Sequence, residues 1–149
     1  MIQALKYNGK TGLARLLGDA LTRLVESDPV LAGSDHVCPV PLHPARIRER
    51  GYNQAFLLAS EVAKGTGIGF CDMLVRVRNT RTQTGILGND ERKRNLRRAF
   101  KLRTGIQVSG SRVLLVDDVV TSGATLDSAA RQLLGAGARA VVGIAVAAA

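Results

Sequence analysis

The sequence predicts an α/β domain with a mainly parallel central sheet and flanking helices, and three observations support this fold class. Segments with helical and strand-like hydrophobic periods alternate along the chain. Residues 112–117 (RVLLVD) and 140–147 (AVVGIAVA) contain the uninterrupted apolar runs of strands buried on both faces of a parallel sheet. Residues 125–134 between them have a helical pattern, so this span is predicted to be a βαβ unit.

Length and composition predict one globular domain, residues 1–149. Of the 149 residues, 46% are hydrophobic and 22% are charged, which excludes a disordered chain. No apolar run reaches the roughly 20 residues of a membrane-spanning helix, and no apolar stretch before Thr11 is long enough for a signal peptide. We therefore expect a soluble cytoplasmic protein without membrane contact.

The first half of the chain predicts two helices and a strand. A helix is expected over residues 11–26, where apolar residues recur on one stripe until Pro29 follows. Residues 36–40 (HVCPV) have the pattern of a strand. A second helix is expected over residues 52–64, with Gly65 as its C-cap.

The second half predicts a strand and a long polar segment ahead of the βαβ unit. Residues 73–78 (MLVRVR) alternate like a strand. Residues 79–98 are polar, rich in arginine and interrupted by glycine, and they are predicted to form a long loop followed by a short charged helix. A loop of this length in a compact domain is either disordered or functional. Gly135 and Gly137 are expected to end the helix of the βαβ unit.

The charge balance predicts an anionic partner. Twenty-one Lys and Arg against twelve Asp and Glu give a formal net charge of +9, which favours nucleic acid, an acidic surface or a phosphorylated small molecule. Aromatic residues are only 3% of the chain, so a groove that stacks single-stranded bases is disfavoured. Cys38 and Cys71 lack the spacing of a redox pair or a four-cysteine zinc site and are expected to be small buried apolar residues.

The segment with the strongest chemical signature is residues 113–126 (VLLVDDVVTSGATL). A buried strand brings Asp117 and Asp118 to the sheet edge where ligands bind in open α/β folds. The small and hydroxylated residues 121–125 then lead into a helix, whose N-terminal N–H groups attract a phosphate. Two carboxylates that accept from neighbouring hydroxyls beside such a cradle predict a ribose 5-phosphate site. The alternative is that the acids only end a strand and the hydroxyls only cap a helix.

This segment resembles the phosphoribosyl-pyrophosphate signature of the type I phosphoribosyltransferases. The resemblance implies that fold, with a flexible catalytic loop. It also implies that Asp117 and Asp118 hold the ribose 2- and 3-hydroxyls. The residues implied in binding the 5-phosphate are Thr121, Ser122, Gly123, Ala124 and Thr125.

Three further segments resemble the competence-associated ComF family. They are residues 40–54 (VPLHPARIRERGYNQ), residues 78–85 (RNTRTQTG) and residues 91–95 (ERKRN), the last followed by Ala99-Phe100. Members of that family usually begin with a cysteine-rich zinc ribbon, which this sequence lacks. We therefore expect the phosphoribosyltransferase-like part alone.

The family resemblance implies that the turn after the first core strand meets pyrophosphate. Leu42, His43, Arg46 and Arg50 are the candidate pyrophosphate-binding residues, because guanidinium groups grip phosphate oxygens in a bidentate way. The alternative for the arginines is a solvated basic face at the start of a helix. His43 is either a donor to pyrophosphate or a structural residue of the turn.

The resemblance also assigns residues 79–90 to the catalytic loop, which closes over the reacting centre and excludes water. Arg78, Arg81 and Gln83 are the candidate catalytic residues, and a mobile surface loop without a catalytic role is the alternative. Mg²⁺ is the expected cofactor, held through the substrate with no direct protein ligand.

Three functions remain open. The first is Mg²⁺-dependent transfer of phosphoribosyl from 5-phosphoribosyl 1-pyrophosphate to a nitrogenous acceptor, although no general base is evident. The second is a non-catalytic protein that binds this ligand and serves DNA uptake through partner proteins. The third is direct DNA binding, expected to be weak and independent of sequence. Exposed sheet edges suggest a homodimer.

Overall fold

The computed structural model of the protein describes residues 11–78, 94, 96 and 98–149. The helices of these parts of the chain are α1 (Thr11–Ser27), α2 (Pro29–Ala32), α3 (Pro44–Arg50), α4 (Gln54–Thr66) and α5 (Ala124–Gly135). The strands are β1 (His36–Pro39), β2 (Gly69–Phe70), β3 (Leu74–Arg76), β4 (Phe100–Leu102), β5 (Arg112–Val120) and β6 (Ala140–Ala148). None of these helices is both long enough and apolar enough to cross a membrane.

The central sheet has the strand order β2-β1-β5-β6, and all of its neighbours are parallel. Val116 pairs with Pro39 of β1 on one side and with Ile144 of β6 on the other. The predicted parallel sheet is therefore confirmed, with β1 and β5 in its middle.

The strand expected over residues 73–78 is shorter and belongs to a different sheet. Leu74–Arg76 pairs antiparallel with Phe100–Leu102, a strand that the sequence did not predict. The two-residue strand Gly69–Phe70 was also not predicted. Segments of two or three residues are too short to show a hydrophobic period.

Both faces of the central sheet are covered, as its apolar strands require. Leu114 and Val116 pack with α1 and α4 on one face. Leu115 and Cys38 pack on the other face with α5 and the small β3–β4 sheet. Cys38 is fully buried, as expected, whereas Cys71 is only half-buried.

The predicted C-cap of α4 is wrong for a physical reason. Gly65 lies inside α4, where a Cβ would come within 2.6 Å of the Thr22 Cγ2 of α1, so this glycine permits close helix packing. The C-cap is Gly67, whose φ of 77° suits the left-handed cap conformation. Pro29 ends α1 as expected but also begins α2, whose first turn is capped when Asp28 accepts from the Val30 N–H.

Candidate functional site

The two acids lie inside β5, close to its carboxyl end. The sequence placed the end of this strand at Asp117, but pairing of Val119 and Val120 with β6 continues it for three more residues. Val40, just beyond β1, donates its N–H to the Val116 carbonyl at 2.9 Å. The carboxyl ends of β1 and β5 therefore share one edge of the sheet, where the candidate site lies.

The predicted phosphate loop leads directly from β5 into α5. Thr121 and Ser122 are exposed, and Gly123 is the helix N-cap with a φ of 81° and no side-chain cap hydrogen bond. Ser122 Oγ accepts from the Ala124 N–H at 3.3 Å. In this described loop, Ser122 is therefore the hydroxyl residue that caps the helix. The start of this 12-residue helix lies at the same sheet edge as the acids, because the loop continues directly from β5.

The two carboxylates are close enough to affect each other strongly. The backbone N–H of Asp118 donates to Asp117 Oδ1 at 2.8 Å, and Asp118 is 9% exposed. Burial, followed by the side-chain hydrogen bond with Asp118 and charge repulsion from it, raises the pKa of Asp117 to about 7, although the backbone hydrogen bond from Asp118 and the charge of Arg76 oppose this shift. The pair therefore favours a proton or a cation at neutral pH.

Two side-chain amides at the start of α4 reach these strand ends. Gln54 Nε2 donates to Asp118 Oδ2 at 3.0 Å. Asn53 Nδ2 donates to the Val40 carbonyl at 3.1 Å, and its Oδ1 accepts from the Ala55 N–H. Both residues lie in the segment that resembles the ComF family, but no role was predicted for them from the sequence. A polar side chain beginning a helix is ordinarily explained as a cap, so only the fold reveals the contact between Gln54 and Asp118.

Arg76 was also missed. It ends β3, and its guanidinium lies 5.2 Å from the centre of the Phe100 ring. Its positive charge lowers the pKa of Asp117, so the carboxyl end of β3 lies within electrostatic reach of the acids. The sequence predicted only an alternating strand over residues 73–78 and assigned Arg76 no role.

The candidate pyrophosphate turn lies between β1 and α4. His43 is the N-cap of α3, with its Nδ1 accepting from the Ala45 N–H at 3.1 Å, so it has the structural role that was one of its two alternatives. Because Nδ1 accepts, the neutral ring carries its proton on Nε2, which can donate to a ligand. Leu42 is half-buried beside it.

The arginines of α3 differ in their surroundings. Arg46 forms an ion pair with Glu49 at 3.3 Å, with its side chain 20% exposed, while its Nε is buried without a hydrogen-bond partner among the described residues. Arg50 Nη1 is likewise buried without a partner in that part of the chain. Arg48 is exposed. The buried, unsatisfied guanidinium donors of Arg46 and Arg50 favour an anion beside these two side chains. Arg48 instead fits the alternative of a solvated basic face.

The candidate catalytic residues are only partly described. Arg78 is exposed just beyond β3. Arg81 and Gln83 lie outside the described residues, as does the predicted loop over residues 79–90. Beyond that loop, Ser128 Oγ of α5 donates to the Leu96 carbonyl.

No group of three or more His, Cys, Asp or Glu side chains that could hold a metal ion occurs among the described residues. The candidate site itself offers two carboxylates whose mutual repulsion a cation would relieve. This donor set fits Mg²⁺ held chiefly through a phosphorylated ligand.

A parallel sheet with paired acids and a phosphate-type loop at its carboxyl edge defines a phosphoribosyltransferase-type domain. Residues 53–149 match the family model described as the phosphoribosyl transferase domain, and the chain belongs to this family. The chain is 35% identical to competence protein F of Haemophilus influenzae, covering 89% of this chain and 60% of that protein. It is 34% identical to DNA utilization protein YhgH of Escherichia coli K12, covering 95% and 63%. These relatives confirm the resemblance to the ComF family, and the chain spans less than two thirds of their length.

Solved structures confirm the predicted fold class. The glutamine phosphoribosylpyrophosphate amidotransferase of B. subtilis superposes with a TM-score of 0.59 at 22% identity, covering 89% of this chain and 26% of that one. Adenine phosphoribosyltransferase of Leishmania tarentolae gives 0.58 at 17% identity, covering 95% and 60%. At these identities the likeness concerns the type I phosphoribosyltransferase fold.

Proposed function

We propose that this chain is the ligand-binding domain of a ComF-type protein that serves DNA uptake or utilisation through partner proteins. Its ligand is 5-phosphoribosyl 1-pyrophosphate or a related ribose 5-phosphate. The observation that carries the proposal is the Asp117–Asp118 pair close to the end of β5, two residues before the loop that begins α5. The names of the relatives, competence protein F and DNA utilization protein, support the DNA-related role.

Each part of the ligand has a matching group on the sheet edge. The acids accept from the ribose hydroxyls, and the loop over residues 121–125 donates backbone N–H groups to the 5-phosphate. Arg46 and Arg50 receive the pyrophosphate with donors that have no partner among the described residues. Mg²⁺, held chiefly through the ligand, would supply positive charge beside Asp117 and Asp118.

Calorimetric titration with 5-phosphoribosyl 1-pyrophosphate and with ribose 5-phosphate, each with and without Mg²⁺, tests this function. The double variant Asp117→Asn/Asp118→Asn should weaken binding, because each lost charged hydrogen bond costs about 1.5–3 kcal/mol. The matched control, Asp19→Asn/Glu26→Gln, removes two exposed acids from α1 and should bind like the unmodified protein. Equal affinity of the two double variants would overturn the assignment of the site.

Phosphoribosyl transfer is the second candidate function, and one observation favours it. A carboxyl with a pKa of about 7 is suited to accept a proton at neutral pH, so Asp117 is the candidate for the general base that was not evident from the sequence. A nitrogenous acceptor would attack the anomeric carbon, the bond from that carbon to the pyrophosphate oxygen would break, and Asp117 would take the acceptor's proton. Pyrophosphate release with a panel of nitrogenous acceptors, lost in Asp117→Asn, tests this activity.

A further inference from the structure

Gln54 is a buried side chain with only one end of its amide hydrogen-bonded to a described residue. It is 3% exposed, yet one end of its amide contacts the candidate ribose site and the other end has no hydrogen-bond partner in the described parts of the chain. Nε2 donates to Asp118 Oδ2, 64 residues further along the chain. An unsatisfied buried oxygen destabilises a fold, so Gln54 is not explained by stability. Its hydrogen bond to Asp118 is the contact that can explain its position.

The support behind Gln54 is rigid. It is the first residue of α4, and the preceding Asn53 caps that helix while also donating to the backbone just beyond β1. Leu58 and Val62 of the same helix are fully buried against the central sheet. The amide is therefore delivered to Asp118 by a fixed element of the fold, which gives it a defined position.

The contact distinguishes two otherwise similar acids. Asp118 accepts from the neutral amide of Gln54, whereas Asp117 accepts from the Asp118 backbone N–H. Arg76 on β3 is the charged group that acts on Asp117 from outside the pair. A donor aimed at one carboxylate stabilises the ionised form of that carboxylate and leaves the proton to its neighbour.

We propose that Gln54 is a positioning residue of the ribose site, which fixes the Asp118 carboxylate so that Asp118 is the member of the pair whose charge meets the ligand hydroxyls. This inference rests on the proposed function of the site. It assigns the contact from α4 a specific task that neither strand termination nor helix capping explains.

A double-mutant cycle tests the inference with ribose 5-phosphate as the probe. Gln54→Leu, which keeps a similar volume without the donor, should lower affinity about tenfold in the unmodified protein and in Asp117→Asn. In Asp118→Asn the same change should cost less than about twofold, because the charge that Gln54 serves is already gone. Equal losses in all three backgrounds would reduce Gln54 to a general structural role. Thr22→Val, which removes a buried hydroxyl of α1 away from the site, is the control.

A second readout needs no ligand and separates this inference from the proposed function. The carboxyl carbon of Asp117, followed by NMR in the free protein, should titrate at lower pH in Gln54→Leu, because part of the proton population then moves to Asp118. If the unmodified protein binds no probe while this shift occurs, the proposed function fails and the positioning contact stands. An unchanged Asp117 titration overturns the inference. If Gln54→Leu does not fold, Gln54→Asn, which withdraws the amide by one methylene, replaces it in both measurements.

Discussion

Asp118 donates its backbone N–H to the Oδ1 of Asp117, its neighbour in β5, at 2.8 Å. This hydrogen bond favours the ionised form of Asp117, but burial and the adjacent carboxyl outweigh it, and the pKa rises from 3.8 to about 7.

Stability should fall as pH rises from about 4 to about 7. In that interval the folded state holds a proton on Asp117 that the unfolded state has released, so raising the pH favours unfolding. The full difference in pKa corresponds to on the order of 4 kcal/mol, an upper bound for a carboxyl that shares its proton. Urea unfolding across this range, compared with Asp117→Asn, measures it. If the variant shows the same pH slope as the unmodified protein, Asp117 is not the group responsible.

A sulfate or phosphate ion should occupy the loop over residues 121–125 in crystals grown with such anions. This loop begins α5, so the first backbone N–H groups of the helix and the positive end of its dipole both attract an anion there. A loop that remains empty at high anion concentration would contradict the phosphate assignment.

Gly123→Ala should weaken ribose 5-phosphate binding and destabilise the fold by about 1–2 kcal/mol, because an L-residue is strained at a φ of 81°. Thermal melts and calorimetry measure both effects. Gly135→Ala is the matched control: it lies in the last turn of the same helix with open space around it, so it should leave both properties unchanged or raise stability slightly. Equal behaviour of the two variants would show that the backbone at Gly123 does not shape the loop.

Gly65→Ala should destabilise the protein by about 1–3 kcal/mol, because its Cβ would overlap Thr22 across the α1–α4 contact. Adding Thr22→Ala should recover most of the loss. Chemical unfolding of the two single variants and the double variant gives the coupling. If the free-energy changes of the two single variants simply add in the double variant, the methyl group added by Gly65→Ala does not contact Thr22, and the two helices have moved apart.

Any binding to duplex DNA should be weak, independent of sequence and strongly dependent on salt. The net charge of +9 can neutralise phosphates, and each contact adds about 0.9 to the salt slope. A salt titration with and without 5-phosphoribosyl 1-pyrophosphate shows whether DNA and this ligand bind to the same arginines. Tight binding at physiological salt, unaffected by the ligand, would make the protein chiefly a nucleic-acid binder.

The sequence predicted the parts of the fold that have a long hydrophobic period or an apolar run. Helix α1, strands β5 and β6 and the helix between them appear within three residues of their expected bounds. The two-residue strand at Gly69 and the strand at Phe100 were missed, because their pairing depends on contacts with distant parts of the chain.

The candidate site was predicted where one continuous segment carries it. Asp117, Asp118 and the loop after them lie close together in sequence, so their order alone predicts a ribose 5-phosphate site. Gln54 and Arg76 reach the acids only through tertiary packing, and no local pattern distinguishes them from a helix cap and a surface arginine.

The central pairing of β1 with β5 also has a consequence for folding during synthesis. His36 lies opposite Val113, so the middle of the sheet joins segments separated by about half of the chain. Contacts of such long sequence separation slow folding, since loop closure comes before the gain from pairing. On the ribosome, α1, β1 and α4 emerge without the strand that completes their sheet. The candidate site therefore forms only after Asp118 has left the exit tunnel, and until then the edge of β1 lacks its β5 partner and is open to wrong pairing.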